Sequence, residues 1–214
     1  MAEPISILSA DPPVRGFLHR PISASGDALV LTHGAGGNAQ SALLVALAEA
    51  FSGAGFAALR CDRQLRRFGP PRPGDAIRDR QGLANAVVAM QKGYSGRVFL
   101  GGQSYGGRQA SMLCAEEKVA DGLLLLSYPL HPPGKPEQLR TQHLSQIQIP
   151  VMLVQGTRDP FGSIDEIEAA RKQIPAKTLL LPVEGAGHDL GFKGKAKQEN
   201  LPGEVLSKFK QLFG

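Results

Sequence analysis

The sequence is poor in cysteine, with only Cys61 and Cys114 among its 214 residues. Two thiols cannot build the disulfide framework that holds small secreted domains together. Cys114 lies in an apolar stretch with helical periodicity, which predicts a small core residue. Disulfide-rich secreted scaffolds are therefore excluded.

Membrane-spanning and targeting segments are also missing from the sequence. No apolar run approaches the roughly 18 residues that a transmembrane helix needs. Residues 1–5 (MAEPI) lack the basic and apolar regions of a signal peptide. We therefore expect a soluble, cytoplasmic protein that makes no contact with membranes.

The excess of positive charge is small, with a net charge of +5 from 24 basic and 19 acidic residues. This excess is too dispersed to predict nucleic-acid binding, and no recognised DNA- or RNA-binding motif accompanies it. One segment is an exception, because arginines cluster at positions Arg60, Arg63, Arg66, Arg67 and Arg72.

Motifs for cofactors and metals are absent as well. The glycine-rich loops do not contain G-x-x-x-x-G-K-[ST], and no G-x-G-x-x-G stands where a dinucleotide would need it. No cluster of histidine, cysteine and carboxylate residues has the spacing of metal ligands. The sequence thus predicts neither a cofactor nor a metal.

Short apolar runs alternate with segments of helical periodicity along the whole chain, which predicts an α/β fold. We expect one domain over residues 1–214, with a mostly parallel central sheet flanked by helices. The predicted strands are residues 5–9, 15–19, 28–32, 56–60, 97–101, 122–127, 151–156 and 178–183, of which the first two form an edge hairpin. The predicted helices are residues 40–52 (with Asn38 as N-cap), 79–91, 104–117, 164–173 and 202–213.

One motif, GQSYG at residues 102–106, places a serine between a predicted strand and a predicted helix. Glycines on both flanks let the backbone fold sharply, so that the hydroxyl of Ser104 projects at the carboxyl end of the sheet. The helix N-terminus favours negative charge at that position. Ser104 is therefore the candidate nucleophile, and an ordinary helix N-cap is its alternative role.

A candidate acid and a candidate base follow later strands. A serine hydroxyl is a weak nucleophile until a histidine, oriented by a carboxylate, accepts its proton. Asp159 follows the predicted strand 151–156, and His188 follows the predicted strand 178–183. Both positions lie at the carboxyl ends of strands, where sites form in open α/β sheets. The sequence therefore predicts a catalytic triad of Ser104, Asp159 and His188.

Simpler roles exist for the same residues. Asp159 has the alternative of capping the turn before Pro160, and His188 that of an ordinary loop histidine. Asp165 competes for the role of the acid but lies inside a predicted helix. Asp189 is better explained as a hydrogen-bond acceptor in a turn.

Attack on a carbonyl carbon also requires two N–H donors for the oxyanion. Tyr105, directly after the candidate nucleophile, is expected to supply one of them. The second is expected from the glycine loop HGAGG, residues 33–37, which follows the predicted strand 28–32. In this loop Ala35 is the first choice and Gly36 the second.

The segments LTHGAGG, GGQSYGGRQASML, SYPLHPPGKPEQLR, GTRDPFG and GAGHDL resemble those of small α/β-hydrolases with little or no cap domain. This branch includes dienelactone-hydrolase-like bacterial proteins and the relatives of NSL-complex and testis-expressed hydrolase-like proteins. The resemblance spans roughly residues 28–190. It implies a sheet of about eight strands and a Ser-Asp-His triad, and it makes His33 a structural residue of the glycine loop.

Two departures from these relatives affect the substrate. Dienelactone hydrolases proper use a cysteine nucleophile, whereas position 104 is serine. Relatives often carry an aromatic or proline-containing motif after the strand that corresponds to residues 56–60, where this chain has CDRQL at residues 61–65. The substrates of the family therefore cannot be transferred to this chain.

Two residues are candidates for contact with the substrate. Arg60 lies at the carboxyl end of a predicted strand, and a guanidinium suits carboxylates and phosphates; the alternative is a solvated basic loop. His131 follows the predicted strand 122–127 and either lines the pocket or packs its own loop. His19 and His143 belong to no motif, so we expect both at the surface.

These features together predict a serine hydrolase, specifically a carboxylesterase that acts on small or short-acyl esters through an acyl-enzyme. Its partner is a small-molecule ester, and the protein is expected to be a monomer or a homodimer. The alternative is a catalytically silent α/β-hydrolase fold that serves as a binding or scaffold protein. Thioester hydrolysis, acyl transfer to alcohols and peptide cleavage use the same triad and stay open. The short span between Ser127 and Val151 leaves little room for a lid, which predicts an open, shallow site.

Overall fold

A computed structural model describes residues 2–62, 73–192 and 198–214. In this part of the chain eight strands form one sheet. The strands are β1 (Ala2–Ile7), β2 (Val14–His19), β3 (Ala28–Thr32), β4 (Ala57–Cys61), β5 (Val98–Gln103), β6 (Gly122–Leu126), β7 (Val151–Gly156) and β8 (Thr178–Val183).

The helices of the described residues lie between these strands and at the C-terminus. They are α1 (Ala42–Gly53), α2 (Pro73–Gly93), α3 (Tyr105–Glu116), α4 (Ile164–Arg171) and α5 (Leu201–Phe213). A 3-10 turn at Leu144–Gln146 lies between β6 and β7.

The strand order is β1-β2-β4-β3-β5-β6-β7-β8. β1 pairs with β2, and β2 with β4, in antiparallel fashion, whereas every other neighbouring pair is parallel. The residues of β3, β4, β6 and β7 are all buried, as expected for parallel strands that are covered on both faces. The prediction of a mostly parallel sheet flanked by helices is confirmed.

Helices cover both faces of the sheet and divide the core into two layers. The layer under α1 and α5 contains five phenylalanines whose neighbouring rings lie 4.3–6.2 Å apart between centroids, Phe51, Phe56, Phe99, Phe209 and Phe213. The opposite layer packs α2, α3 and α4 against the other face and includes buried Cys114, as predicted. This two-sided packing leaves the carboxyl edge of the parallel strands accessible for a site.

Two helices, α1 and α2, begin more than one residue away from their predicted starts, whereas α3 and α5 differ by a single residue. α1 begins at Ala42, because Asn38 belongs to a preceding turn, in which its side-chain oxygen accepts the amide of Gln40 at 2.8 Å. Asn38 is therefore not the N-cap, a position that Ser41 occupies. α2 begins at Pro73, six residues before the predicted start, and proline is favoured in the first helical turn.

His19 is buried and His143 is partly buried, so the expectation that both lie at the surface is wrong. His19 is 4% exposed and accepts a hydrogen bond from Nε of Arg60 at 2.9 Å. Nε2 of His143 lies 2.8 Å from Oγ of Ser111. Burial, together with the positive charges of Arg108 and Arg80, lowers the pKa of His143 to about 4.

Within the described ranges, no helix is both long enough and apolar enough to cross a membrane. The segment between β6 and β7 contains a single 3-10 turn and no further helix or strand. No cap domain stands over the carboxyl edge of the sheet in the part of the chain that the structure describes.

Candidate active site

Ser104 occupies a sharp turn between β5, which ends at Gln103, and α3, which begins at Tyr105. Its φ of 52° lies in the left-handed region, which L-residues other than glycine rarely adopt. Steric constraints require glycine beside Ser104, since a Cβ on Gly106 would lie 2.5 Å from the carbonyl oxygen of His33. The amide of Ser104 donates to the carbonyl of Leu126 at 2.8 Å, which ties the turn to β6.

His188 lies in the loop after β8 and contacts the candidate nucleophile. Its Nε2 lies 2.8 Å from Oγ of Ser104. The ring of Phe161 stacks on the imidazole, with 4.1 Å between ring centroids and 30° between ring planes. The side chain of Gln103 donates to the backbone carbonyl of His188 at 3.4 Å. Ring stacking thus holds the imidazole, and a hydrogen bond holds the backbone of His188.

Asp159 lies in the loop after β7 and meets the other nitrogen of the same ring. Its Oδ2 and Oδ1 lie 2.8 and 3.0 Å from Nδ1 of His188. Its side chain is fully buried, and Oδ1 also accepts the amide of Phe161 at 2.9 Å. Because the carboxylate accepts the proton on Nδ1, Nε2 is left as the acceptor that faces Ser104.

The two competing carboxylates lie elsewhere. Asp165 is an exposed residue in the first turn of α4, whose N-cap is Ser163. Asp189 borders the cavity beside His188, and its Oδ1 accepts the amide of Gly191 at 3.1 Å, as in the predicted turn. Asp159 is therefore the carboxylate that is hydrogen-bonded to the imidazole.

The predicted oxyanion donors lie on two sides of Ser104. Tyr105 is the first residue of α3, and the first amides of a helix have no carbonyl partner inside it. On the other side, the amide of Gly37 donates to the carbonyl of Gly34 at 3.2 Å, which closes a turn with Ala35 and Gly36 at its centre. Gly36 has a φ of 71°, the conformation that glycine adopts at the third position of type II turns.

The glycine turn approaches the candidate nucleophile closely. A Cβ added to Gly34 would stand 3.2 Å from Cβ of Ser104, so a side chain at this position would press on the serine. His33 supports the turn, because its buried Nδ1 donates to the carbonyl of Gly34 at 2.8 Å. Its Nε2 lies 3.7 Å from Oδ1 of Asp62.

A cavity of about 770 Å³ opens beside Ser104 and His188. Its walls include Ala35, Gly36 and Tyr105, so the predicted oxyanion donors border the same space as the candidate nucleophile. Such a volume is within the ordinary range of small-molecule sites.

The cavity wall also contains Arg108 and Arg140, which sequence reasoning missed. Arg108 could have been found, because it stands four residues after Ser104 at the start of a predicted helix, a spacing that places both residues on one face. No local signal identifies Arg140, because it reaches the cavity through an irregular loop.

Arg60 does not border this cavity, and its predicted role in substrate contact is corrected. The side chain is 3% exposed, donates to the carbonyl of Ala39 and to His19, and lies 5.0 Å from the ring centroid of Phe17. Its pKa is lowered by burial. The remaining arginines of the predicted basic segment, Arg63, Arg66, Arg67 and Arg72, lie outside the described residues.

His131 is likewise not part of the cavity wall. It is 5% exposed, its Nδ1 donates to the carbonyl of Pro132 at 2.8 Å, and its Nε2 lies 3.4 Å from Oε2 of Glu166. Of the two predicted roles, these contacts correspond to packing of the loop, and the prediction of a substrate contact is corrected.

The two cysteines have no nucleophilic character in this fold. Cys61 and Cys114 are both buried, and burial raises the pKa of each thiol to about 12. Because the thiolate is the reactive form, neither sulfur competes with Ser104. Among the described residues, no group of three or more histidine, cysteine or acidic side chains is placed to hold a metal ion.

Comparison with solved structures finds the same fold in several enzymes. DcsB, solved in complex with its substrate analogue, has a TM-score of 0.80 at 16% identity, with both chains fully covered. Dienelactone hydrolase from Anabaena variabilis has a TM-score of 0.76 at 20% identity, covering 100% of this chain and 99% of that one. An α/β serine hydrolase without lid from Xanthomonas campestris has a TM-score of 0.74 at 15% identity, covering 99% of this chain and 95% of that one.

The sequence itself matches a family model over most of its length. Residues 25–210 match the model of the alpha/beta hydrolase domain, a range that contains every strand from β3 to β8 and the whole Ser104–His188–Asp159 chain of hydrogen bonds. The chain therefore belongs to the alpha/beta hydrolase family.

Proposed function

We propose that this hydrolase is a serine esterase that cleaves small carboxylic esters through an acyl-enzyme, with Ser104, His188 and Asp159 as its triad. The observation that carries the proposal is one unbroken chain of hydrogen bonds. Oγ of Ser104 lies 2.8 Å from Nε2 of His188, whose Nδ1 lies 2.8 Å from Oδ2 of Asp159. A serine in this arrangement has its base already in place.

In the acylation half of the reaction, Nε2 of His188 takes the proton of Ser104 while Oγ attacks the ester carbonyl carbon. The buried carboxylate of Asp159 stabilises the imidazolium that forms and keeps the ring in the required tautomer. His188 then returns the proton to the departing alkoxide. The stacked ring of Phe161 limits the rotation of the imidazole during these transfers.

The oxyanion of the tetrahedral intermediate is bound by backbone amides from two elements. Tyr105 supplies the first, because it is the first residue of α3 and the first amides of a helix have no carbonyl partner inside it. Ala35 supplies the second from the glycine turn, with Gly36 as the alternative donor. Removal of one such donor typically costs about 10²- to 10³-fold in kcat.

Deacylation repeats the same steps with water as the nucleophile. His188 deprotonates the water, which attacks the acyl carbon, and the proton passes to Oγ of Ser104 as the C–O bond breaks. The side chain of His188 is 26% exposed, so water reaches this face of the site without a further opening. Neither half of the reaction requires a cofactor.

The preference for small esters follows from the size of the cavity and from what surrounds it. A space of about 770 Å³ suits a small molecule, and no cap stands over it among the described residues. The likeness to a dienelactone hydrolase supports ester chemistry, since a lactone is a cyclic ester.

Labelling by a fluorophosphonate probe tests the proposal before any substrate is known. Such a probe forms a stable adduct only with an activated serine, so intact-mass analysis should show one adduct on the wild type and none on Ser104→Ala. Ser111→Ala is the matched control, because Ser111 also lies within hydrogen-bond distance of a histidine, His143, at 2.8 Å. This variant should keep the adduct.

Failure of the folded wild type to react, beside a serine hydrolase that is labelled under the same conditions, would contradict the proposal. That result would leave a silent fold with a binding or scaffold role. Hydrolysis of 4-nitrophenyl acetate by the wild type and its loss in Ser104→Ala then test esterase activity directly.

A further inference from the structure

Two arginines, Arg108 and Arg140, line the cavity that also contains the candidate nucleophile. Arg108 lies in the first turn of α3, four residues after Ser104 in the chain. Arg140 lies in the segment between β6 and β7. Both border the cavity that contains Ser104 and His188.

Arg108 has no partner for its charge in the part of the chain that the structure describes. Its Nε is buried and makes no hydrogen bond there, and none of the ion pairs within the described ranges involves Arg108. Arg80 is a contrast, because it bonds Glu116 and Gln109, each at 3.1 Å. A buried donor without a protein partner costs free energy unless water or a ligand accepts its hydrogen bond, so Arg108 can bind a group from outside the protein.

Arg140 is held firmly by its backbone while most of its guanidinium stays available. Its amide donates to the carbonyl of Leu130 at 2.8 Å, and its carbonyl accepts from the hydroxyl of Tyr128 at 2.8 Å. One N–H, from Nη1, donates to the carbonyl of Pro129 at 3.1 Å. Within the described residues the other guanidinium donors make no hydrogen bond and no ion pair.

The two arginines affect each other electrostatically. Burial lowers the pKa of Arg140, and the positive charge of Arg108 lowers it further. Two neighbouring cations repel, and an anion placed between them would relieve this repulsion. His143 adds no positive charge here at neutral pH, because its pKa is lowered to about 4.

Two carboxylates, one that contacts Tyr105 and one in the cavity wall, already have hydrogen-bond partners. Oδ2 of Asp79 accepts the hydroxyl of Tyr105 at 3.1 Å. Asp189 borders the cavity from the loop of His188 and accepts the amide of Gly191. Neither forms an ion pair with Arg108 or Arg140 in the described structure.

We propose that Arg108 and Arg140 form an anion-binding subsite, so that the preferred substrates are small esters that carry a carboxylate or a phosphate group beside the scissile bond. Guanidinium groups bind such oxyanions with paired N–H donors and keep their charge at all physiological pH values. The inference rests on the proposed ester hydrolysis, because it names the substrate class of the same site.

Matched ester pairs test this specificity. On the leaving-group side, 4-acetoxybenzoate is compared with 4-acetoxybenzamide, which has the same shape but no charge. On the acyl side, the 4-nitrophenyl monoester of glutarate is compared with its terminal amide. Each kcat/KM is divided by the uncatalysed rate of that ester. We expect the wild type to favour the carboxylate about tenfold or more within one of the two pairs, as charged hydrogen bonds of this kind allow.

Three variants assign the preference to residues. Arg108→Gln and Arg140→Gln should each reduce the carboxylate-to-amide ratio by about tenfold. Arg80→Gln is the matched control, because it removes a neighbouring positive charge that is already paired with Glu116 and does not border the cavity. It should keep the ratio. Thermal unfolding identifies any variant that fails to fold, and Arg108→Lys then replaces Arg108→Gln, with a smaller loss expected.

Binding to Ser104→Ala provides a readout that needs no catalysis. Calorimetry with glutarate, with benzoate and with inorganic phosphate should show binding to Ser104→Ala that is lost when Arg108→Gln is added, and the tighter class of anion identifies the natural group. The subsite alone would be overturned if the wild type hydrolysed the carboxylate and the amide of each pair with the same normalised kcat/KM. It would also be overturned if Arg80→Gln reduced the carboxylate-to-amide ratio as much as Arg108→Gln does. Absence of all hydrolysis would overturn the proposed function, and the calorimetry would still decide the subsite, since no binding of any of the three anions would refute it.

Discussion

At the scale of single residues, the backbone of Ser104 carries strain that its neighbours sustain. A non-glycine residue with a φ of 52° costs on the order of 1–3 kcal/mol. The amide of Ser104 is fixed to β6, and its carbonyl accepts the amide of Arg108 at 3.0 Å, so the turn cannot relax. The strain keeps the hydroxyl pointed toward His188 instead of along the helix.

After Ser104 and His188, the residue with the largest expected effect on activity is Asp159. Asp159→Asn should lower kcat for 4-nitrophenyl acetate by about three to four orders of magnitude, because the amide no longer fixes the tautomer of His188 or stabilises its charged form. Asp165→Asn is the control, since Asp165 is an exposed carboxylate on α4. This variant should keep the wild-type kcat. A loss of less than about tenfold in Asp159→Asn would show that the carboxylate only positions the loop.

The candidate site divides into residues that the sequence predicts and residues that it cannot. Ser104, Asp159 and His188 each follow a strand directly, and parallel strands end at one edge, so their meeting is predictable. Arg60 also ends a predicted strand, but β4 pairs with β2, which places Arg60 opposite Phe17 and within reach of His19. Arg60 and His19 are 41 residues apart in the chain, and no local pattern reveals that they meet.

At the scale of elements, α3 connects the nucleophile to the loop that carries Arg140. Its Ser111 lies 2.8 Å from His143, the residue just before the 3-10 turn at Leu144–Gln146. The sequence predicts His143 at the surface, because its partial burial depends on the packing of this turn against α3. The neutral imidazole therefore belongs to the contact between two elements.

This contact predicts a dependence of stability on pH. The pKa of His143 falls from 6.5 to about 4 on folding, so the unfolded chain binds a proton over this interval that the folded chain does not. The contribution of His143 to stability is complete above about pH 6.5 and is lost as the pH falls toward about 4. Urea unfolding from about pH 7.5 to 4.5 should show a steeper loss of stability for the wild type than for His143→Gln. Parallel curves for the two proteins would contradict this assignment.

The residue at which a helix begins depends on interactions that the sequence alone shows only in part. The start of α2 at Pro73 is favoured by the fixed φ of proline, yet the proline-rich segment before it suggests a loop that continues to residue 78. Asn38 and Ser41 are both good N-cap residues, and the choice between them depends on the turn that Asn38 forms with Gln40. Only the complete fold selects between such alternatives.

At the scale of the whole molecule, the residues that form the two-sided hydrophobic core are different from the residues that line the cavity. α1 and α5 cover one face with aromatic residues, and α2, α3 and α4 cover the other, so the sheet is anchored without any residue of the cavity. This arrangement is visible in the sequence as fully apolar strands, which require burial on both faces. The strand order is not visible, because it depends on crossovers that sequence patterns do not record.

The same architecture limits the length of the acyl chain that the protein can use. Each methylene that is buried from water contributes about 0.8 kcal/mol, but only while apolar surface covers it. With a cavity of about 770 Å³ and no cap over it among the described residues, this gain should end at about six carbons. In a series of 4-nitrophenyl esters from acetate to palmitate, kcat/KM should therefore peak at short acyl chains and fall for long ones. Faster hydrolysis of palmitate than of butyrate, or of emulsified triolein than of tributyrin, would show that another part of the chain closes over the site.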